Sequence, residues 1–208
     1  MRRTIGEIEV VKFGPVRYVP EPIAVLVAAR NARTYGEAVA VLSDALRRRL
    51  VTVQDLRAGR EMLGDKWCKR LDRALVEVGV GIRSAGESLF RELVLKSRVL
   101  PEPLWNQWLD LGDGGWPICA DGLWKEAATL HEVNGRAYHA WGEQYEKTSA
   151  RTERVVAADL VYTQSTPLRL SREGSVILAN LERTYMRNLG RGMPPGVTLI
   201  DPPAWAAA

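Results

Sequence analysis

The chain has 208 residues, 46% of them hydrophobic, with 29 Lys and Arg against 25 Asp and Glu; this supplies a real core for one large domain or two small ones, so disorder is not the default. No uncharged apolar run approaches the roughly 20 residues that span a bilayer, and no apolar segment follows the two arginines of the start MRRTIGEIEVVKFGP, so a cytoplasmic protein without membrane attachment is expected. Cys68 and Cys119 show no CxxC or Cys/His ligand spacing, which predicts reduced, partly buried thiols rather than a disulfide framework or a structural zinc site.

Taken in order, IEVVKF and VRYVPEP read as short extended segments, and helices follow to about residue 80. Ala38, Val41, Leu42, Ala45 and Leu46 recur at helical steps, as do Leu71, Leu75 and Val78. Thr52 and Asp65 are placed to cap helix starts, and Gly59 and Gly64 mark breaks. Residues 44–73 carry nine Lys/Arg against five acids and so hold the whole net charge of +4. A basic surface of this kind suits a phosphate backbone, and a solvated helix face would look the same.

GVGIR leads into Ser84-Ala-Gly-Glu87, a capping-box pattern that opens a helix with Leu89, Phe90, Leu93 and Val94 on one side. PLWNQWLDL, WPICADGLW and AATLHEV then read as strands separated by Gly/Asp turns. A long helix over GEQYEKTSARTERVVAA, a strand LVYTQ, a last helix near SVILANLERTYMRNL closed by Gly190 and an extended Pro-rich tail complete the chain. The expected fold class is α/β, with a helical region at 1–80, a helix–strands–helix–strand–helix domain at 81–190 and a tail at 191–208.

Both histidines of the chain, His131 and His139, fall within HEVNGRAYH. On a strand Leu130, Glu132 and Asn134 share a face, while His131 and Val133 point the other way. A turn centred between residues 126 and 127 puts Asp121 opposite Glu132 on the neighbouring strand. Two carboxylates so placed, with Glu87 as a third, can hold a hard divalent cation through oxygen, and such an ion both polarises a phosphoryl group and supplies hydroxide. Each residue also has a plainer reading: Glu87 completes a capping box, Asp121-Gly122 and Asn134-Gly135 form turns, and His139 is a hydrogen-bonded structural imidazole rather than a general base. Arg151 and Arg154, one helical turn apart, suit phosphate oxygens or a salt-bridged surface. The tryptophans of the strand region suit packing better than base stacking.

The succession GIRSAGESLFRELVLKS, LPEPLWNQ, CADGLW, LHEVNGRAYHA and RTERVVAADLVYTQSTPLRL resembles actinobacterial proteins with a DUF559-type, very-short-patch-repair-like endonuclease domain of the PD-(D/E)xK restriction-endonuclease-like superfamily. The resemblance spans roughly residues 80–190, and the preceding helical stretch is similar to the segment before that domain, where many such proteins carry an AbiEi-type antitoxin winged helix further upstream. It implies a restriction-endonuclease-like core in which Glu87 is the helix glutamate, Asp121 the "PD" aspartate and Glu132 the "(D/E)xK" acid, with the glycine-then-histidine feature at Gly135 and His139. Ala120 replaces the usual proline and Asn134 the usual lysine. An amide neither takes a proton nor carries charge, so water activation falls to a metal or to His139.

These readings predict magnesium- or manganese-dependent DNA cleavage with Glu87, Asp121 and Glu132 as metal ligands and Asp121, Glu132, Asn134 and His139 as catalytic residues. Arg47, Arg48, Arg49, Arg151 and Arg154 would hold the DNA backbone. The rival expectation is a nuclease fold without turnover, acting as a DNA- or protein-binding regulator in a toxin–antitoxin or phage-defence setting. A third is a structural subunit that meets a protein partner or forms a homo-oligomer.

Overall fold

The computed structural model describes residues 11–63, 69–135 and 143–207. It divides into two compact units, one of Met1–Ala85 with Ala204–Ala208 and the other of Gly86–Pro203.

The first unit opens with a hairpin, β1 (Val11–Phe13) and β2 (Val16–Tyr18), whose turn uses Gly14 at φ +59°. Four helices follow: α1 (Glu21–Asn31), α2 (Tyr35–Arg47), α3 (Val53–Met62) and α4 (Lys69–Gly79). Thr34 and Thr52 each accept a backbone N–H three residues on, while Glu37 and Asp55 reach back to the cap amides, so α2 and α3 start in full capping boxes. The buried stripe of α2 is Ala38, Val39, Leu42 and Ala45, turned slightly from the expected one, with Val41 and Leu46 half-buried. Asp65, expected as a cap, lies outside the described residues. Much of the basic charge is structural. Arg70 donates to the carbonyls of Arg30, Ala32 and Arg33 at 3.1, 2.7 and 3.3 Å, satisfying the end of α1, and Arg60 pairs with Asp72 at 2.5 Å.

In the second unit, α5 (Ala85–Val94) precedes β3 (Leu104–Asp110), β4 (Ile118–Trp124) and β5 (Thr129–Val133), and α6 (Glu143–Ala157), β6 (Val161–Ser165), α7 (Pro167–Asn188) and β7 (Thr198–Ile200) follow. The strands form one mixed sheet in the order β6-β5-β4-β3-β7, in which only β5 and β6 run parallel. The fold class is therefore α/β, as expected. The helix α7 begins earlier than the apolar spacing suggests: Thr166 caps it, Pro167 occupies its first turn, and a kink at Glu173 (φ −122°, ψ 22°) breaks the periodicity. The tail contributes β7, which pairs with β3.

Two apolar clusters cover the two sheet faces. Phe90, Leu93 and Val94 of α5 and Leu170, Ile177 and Leu181 of α7 pack with Trp124 and Val133; Val155 of α6 packs with Leu109, Ile118, Ala120, Leu123 and Leu130. These memberships reveal a break in alternation. Ile118 and Ala120 face α6 together with Leu123, whereas strict alternation would put them on the opposite side from Leu123. On the partner strand Trp105 packs towards α5 while Leu109 faces α6, and between them Asn106 takes φ 50°. Both strands thus switch faces at Asn106 and Asp121, and pairing resumes in the same register on each side, Trp105↔Gly122 and Gln107↔Ala120.

Just past the switch, a Cβ on Gly122 would stand 3.0 Å from Phe90 Cε1 and 3.4 Å from Pro103 Cγ, so the aromatic ring seats directly on the strand backbone. Gly122→Ala is expected to lower stability by about 1–3 kcal/mol through overpacking, read from the urea midpoint at unchanged m-value.

Candidate functional site

The β4–β5 ladder pairs Trp124↔Thr129, Leu123↔Leu130 and Gly122↔His131. One step further, this register sets Asp121 opposite Glu132, as the turn position predicted, but the ladder stops there. Val133 N instead donates to Asp121 Oδ2 at 2.7 Å, and the side chain replaces a strand carbonyl as partner for that amide. The strands fork at this point, and the three expected carboxylates stand around the fork.

They come from different sides. Glu87, buried in the first turn of α5, accepts a hydrogen bond from Asn106 Nδ2 at 2.7 Å. Glu132, buried on the α6 side of β5, pairs through Oε1 with Arg151 Nη2 at 2.6 Å. Asp121 lies between them at the face switch. Burial, then the Glu87 charge, raise the Asp121 carboxyl from the usual 3.8 to about 7; the Val133 N–H opposes this, the Glu132 charge adds to it and Arg151 lowers it. Glu132 is also raised by burial, against the pull of Arg151 and a hydrogen bond from Tyr162. Asp121 and Glu132 thus share the Arg151 guanidinium, while Glu87 acts on Asp121 through its charge.

Among the described residues no three of His, Cys, Asp and Glu are grouped closely enough to hold a metal ion between them. The chemistry of the donor set fits a cation best at Glu87 and Asp121, whose charges repel, and less well at Glu132, whose Oε1 already faces Arg151. Asn134 donates through Nδ2 to Gln164 Oε1 at 2.8 Å, and its backbone N–H reaches Ser165 O at 2.8 Å, so it ties the exit of β5 to β6. His139 lies outside the described residues.

His131 has a different role. It stacks on Phe90 with ring centroids 4.2 Å apart and is buried on the face away from Glu132. Its Nδ1 lies 2.9 Å from Thr163 Oγ1 and its Nε2 2.8 Å from Ser165 Oγ. The Thr163 hydroxyl already donates to Leu130 O at 2.8 Å, so it accepts from Nδ1–H, and Nε2 accepts from Ser165. Burial lowers the His131 pKa to about 3, leaving a neutral imidazole that fastens β5 to β6.

The arginines read as phosphate contacts have local partners. Arg154 grips Asp113 through Nε at 2.6 Å and Nη2 at 2.8 Å, and Arg47 and Arg48 both pair with Asp44, at 2.7 and 2.8 Å. Arg49 is exposed, in left-handed backbone at φ 56°. Sequence reasoning missed Asn106 altogether, and it read Arg151 as a phosphate contact or part of a salt-bridged surface without naming Glu132 as its partner. The signal for the second was its position one turn before Arg154 on a helix where buried Val155 fixes which way that turn faces. Cys119 is half-buried, as expected, and Cys68 lies outside the described residues.

Comparison of the chain with models of known families, with curated proteins and with solved structures gives no match.

The folded state holds the Asp121 proton up to about pH 7 and the unfolded chain only to about 3.8. Between those values the folded state binds more protons, so this group's contribution to stability falls as pH rises and levels off above pH 7, at a slope of up to about 1.4 kcal/mol per pH unit. Asp121→Asn should flatten that part of the profile, measured by chemical denaturation from pH 4 to 8 without divalent ions. An unchanged slope would place the proton elsewhere.

Proposed function

We propose that this chain is a metal-dependent, restriction-endonuclease-like protein that hydrolyses phosphodiester bonds of DNA. The observation that carries the reading is the imbalance at the β4–β5 fork: Asp121 and Glu132 both face the Arg151 guanidinium, and Asp121 is pushed towards its protonated form by burial first and then by the Glu87 and Glu132 charges. Buried negative charge of this kind is relieved by a proton or by a cation. Glu87 and Asp121 would hold magnesium or manganese, with Glu132 beside them. The ion would supply Lewis acidity and a water of lowered pKa.

The chain's own residues set the geometry for this. Asn106 fixes the Glu87 carboxylate, the Val133 amide fixes Asp121, and Asn134 fixes the strand exit through Gln164. His139 would serve as the proton-transfer group. On the first unit, Arg47, Arg48 and Arg49 are exposed and would follow a phosphate backbone, one of their charges being matched by Asp44.

One observation favours the second reading, a nuclease fold that binds DNA or a protein without turnover: Asn134 stands at the lysine position and Glu132 is already neutralised by Arg151. A single set of assays separates the two. Wild type should nick supercoiled plasmid in magnesium or manganese, and Asp121→Ala should fall to below about a hundredth of that rate. Retained, salt-dependent DNA binding with no nicking in any divalent ion would select the regulator. In either case, replacing Arg47, Arg48 and Arg49 by alanine should lower the slope of log affinity against log salt by about one for each phosphate that is no longer neutralised.

A further inference from the structure

Two guanidiniums project from consecutive turns of α6 to different ends. Arg154 clamps the loop between β3 and β4, meeting both oxygens of Asp113 and reaching Trp116 O at 3.0 Å. Arg151 reaches the sheet. Its Nη2 donates to Cys119 O on β4 at 2.5 Å and lies 2.6 Å from Glu132 Oε1 on β5, so one nitrogen spans the two strands that part at Asp121. The Glu132 side chain is 6% exposed and that of Arg151 36%. Glu132 Oε1 and Arg151 Nε are both buried with no hydrogen-bond partner among the described residues. The pair therefore meets as two charges at contact distance, without an aligned hydrogen bond between Nη2 and Oε1.

We propose that Arg151 is the resident cation of the fork, a built-in competitor that occupies Glu132 and yields it only to a divalent ion; the identity of that ion rests on the hydrolytic reading above. Position 134, just past the end of β5 and two residues from Glu132, carries an uncharged Asn whose Nδ2 is bound to Gln164. The positive charge next to Glu132 comes from α6 instead. Glu87 and Asp121 accept from neutral donors, Asn106 Nδ2 and Val133 N, whereas Glu132 faces a guanidinium, so an entering ion meets the first two before it meets Glu132. To gain Glu132 as a third ligand it must take Oε1 from Arg151. The arginine thereby sets the threshold of cation concentration at which the site closes around an ion.

The test is a double-mutant cycle read by manganese calorimetry on the full chain at fixed pH and salt, without DNA. Four proteins enter it: wild type, Arg151→Met, Glu132→Gln and the two combined, each checked for its fold by circular dichroism. Arg151→Met should bind manganese roughly tenfold more tightly than wild type, and Arg151→Lys, which keeps the charge, should stay within about threefold of wild type. The gain should vanish when Arg151→Met is made in Glu132→Gln, since removing a distant charge would strengthen binding in both backgrounds and only direct competition needs the carboxylate. If Arg151→Met does not fold, Arg151→Gln, which keeps a donor for Cys119 O, takes its place. Manganese binding by the variant no tighter than by wild type, or a gain that persists in the combined variant, overturns the inference. Manganese binding by wild type that tightens in Arg151→Met only when Glu132 is present, with no nicking of supercoiled plasmid by either protein, sinks the hydrolytic reading and leaves the inference standing.

Discussion

The constraint on which the second unit turns is the loss of pairing between β4 and β5 after Gly122 and His131. A strand amide released inside a protein needs another acceptor, since leaving it bare costs about 1–3 kcal/mol. Val133 finds that acceptor in the Asp121 carboxylate. The same local solution brings a charge into half-buried surroundings, and everything around the fork answers that charge. Glu87 approaches from α5, Arg151 from α6, and Asn106 abandons ordinary strand geometry opposite.

Asn106 shows how backbone and chemistry are coupled here. Left-handed backbone is uncommon for residues with a Cβ, and Asn is among the few that adopt it at small penalty. At φ 50° it lets β3 reverse its faces at the step where β4 reverses its own, so pairing resumes without a slip. A one-residue slip would have turned every later side chain to the wrong face. The amide also donates to Glu87, so the residue that permits the switch orients one of the carboxylates beside it.

Much of this was legible in the sequence where period and turn chemistry speak directly. The threonine cap at 52, the strand runs around Trp108, Ala120 and Leu130, and the opposition of Asp121 and Glu132 all follow from local patterns. What was not legible depends on partners distant in the chain. Alternation predicts that Asp121 and Glu132 share a face, but the switch at Asn106 and Asp121 intervenes, and no local pattern in WNQW or ICADG announces it. The pairing of His131 with Thr163 and Ser165 requires the parallel register of β5 and β6. The helical start PLRLSREG was hidden because the kink at Glu173 resets the spacing of its apolar residues.

The arginines carry the same lesson about charge. A count of basic residues overstates the field a polyanion would meet, because Arg60, Arg70 and Arg154 are committed to Asp72, to the end of α1 and to Asp113. A count of motif letters misleads in the opposite direction. Asn134 suggests a fork without positive charge, yet Arg151 stands 2.6 Å from Glu132. At such a distance opposite charges in a partly buried setting attract by several kcal/mol, before the penalty for leaving water is subtracted. What a cluster of buried acids requires is a cation within contact, and the chain can deliver it from any element that passes close by. Here the helix after the fork does so, and the residue on the strand is left to hold β5 against β6.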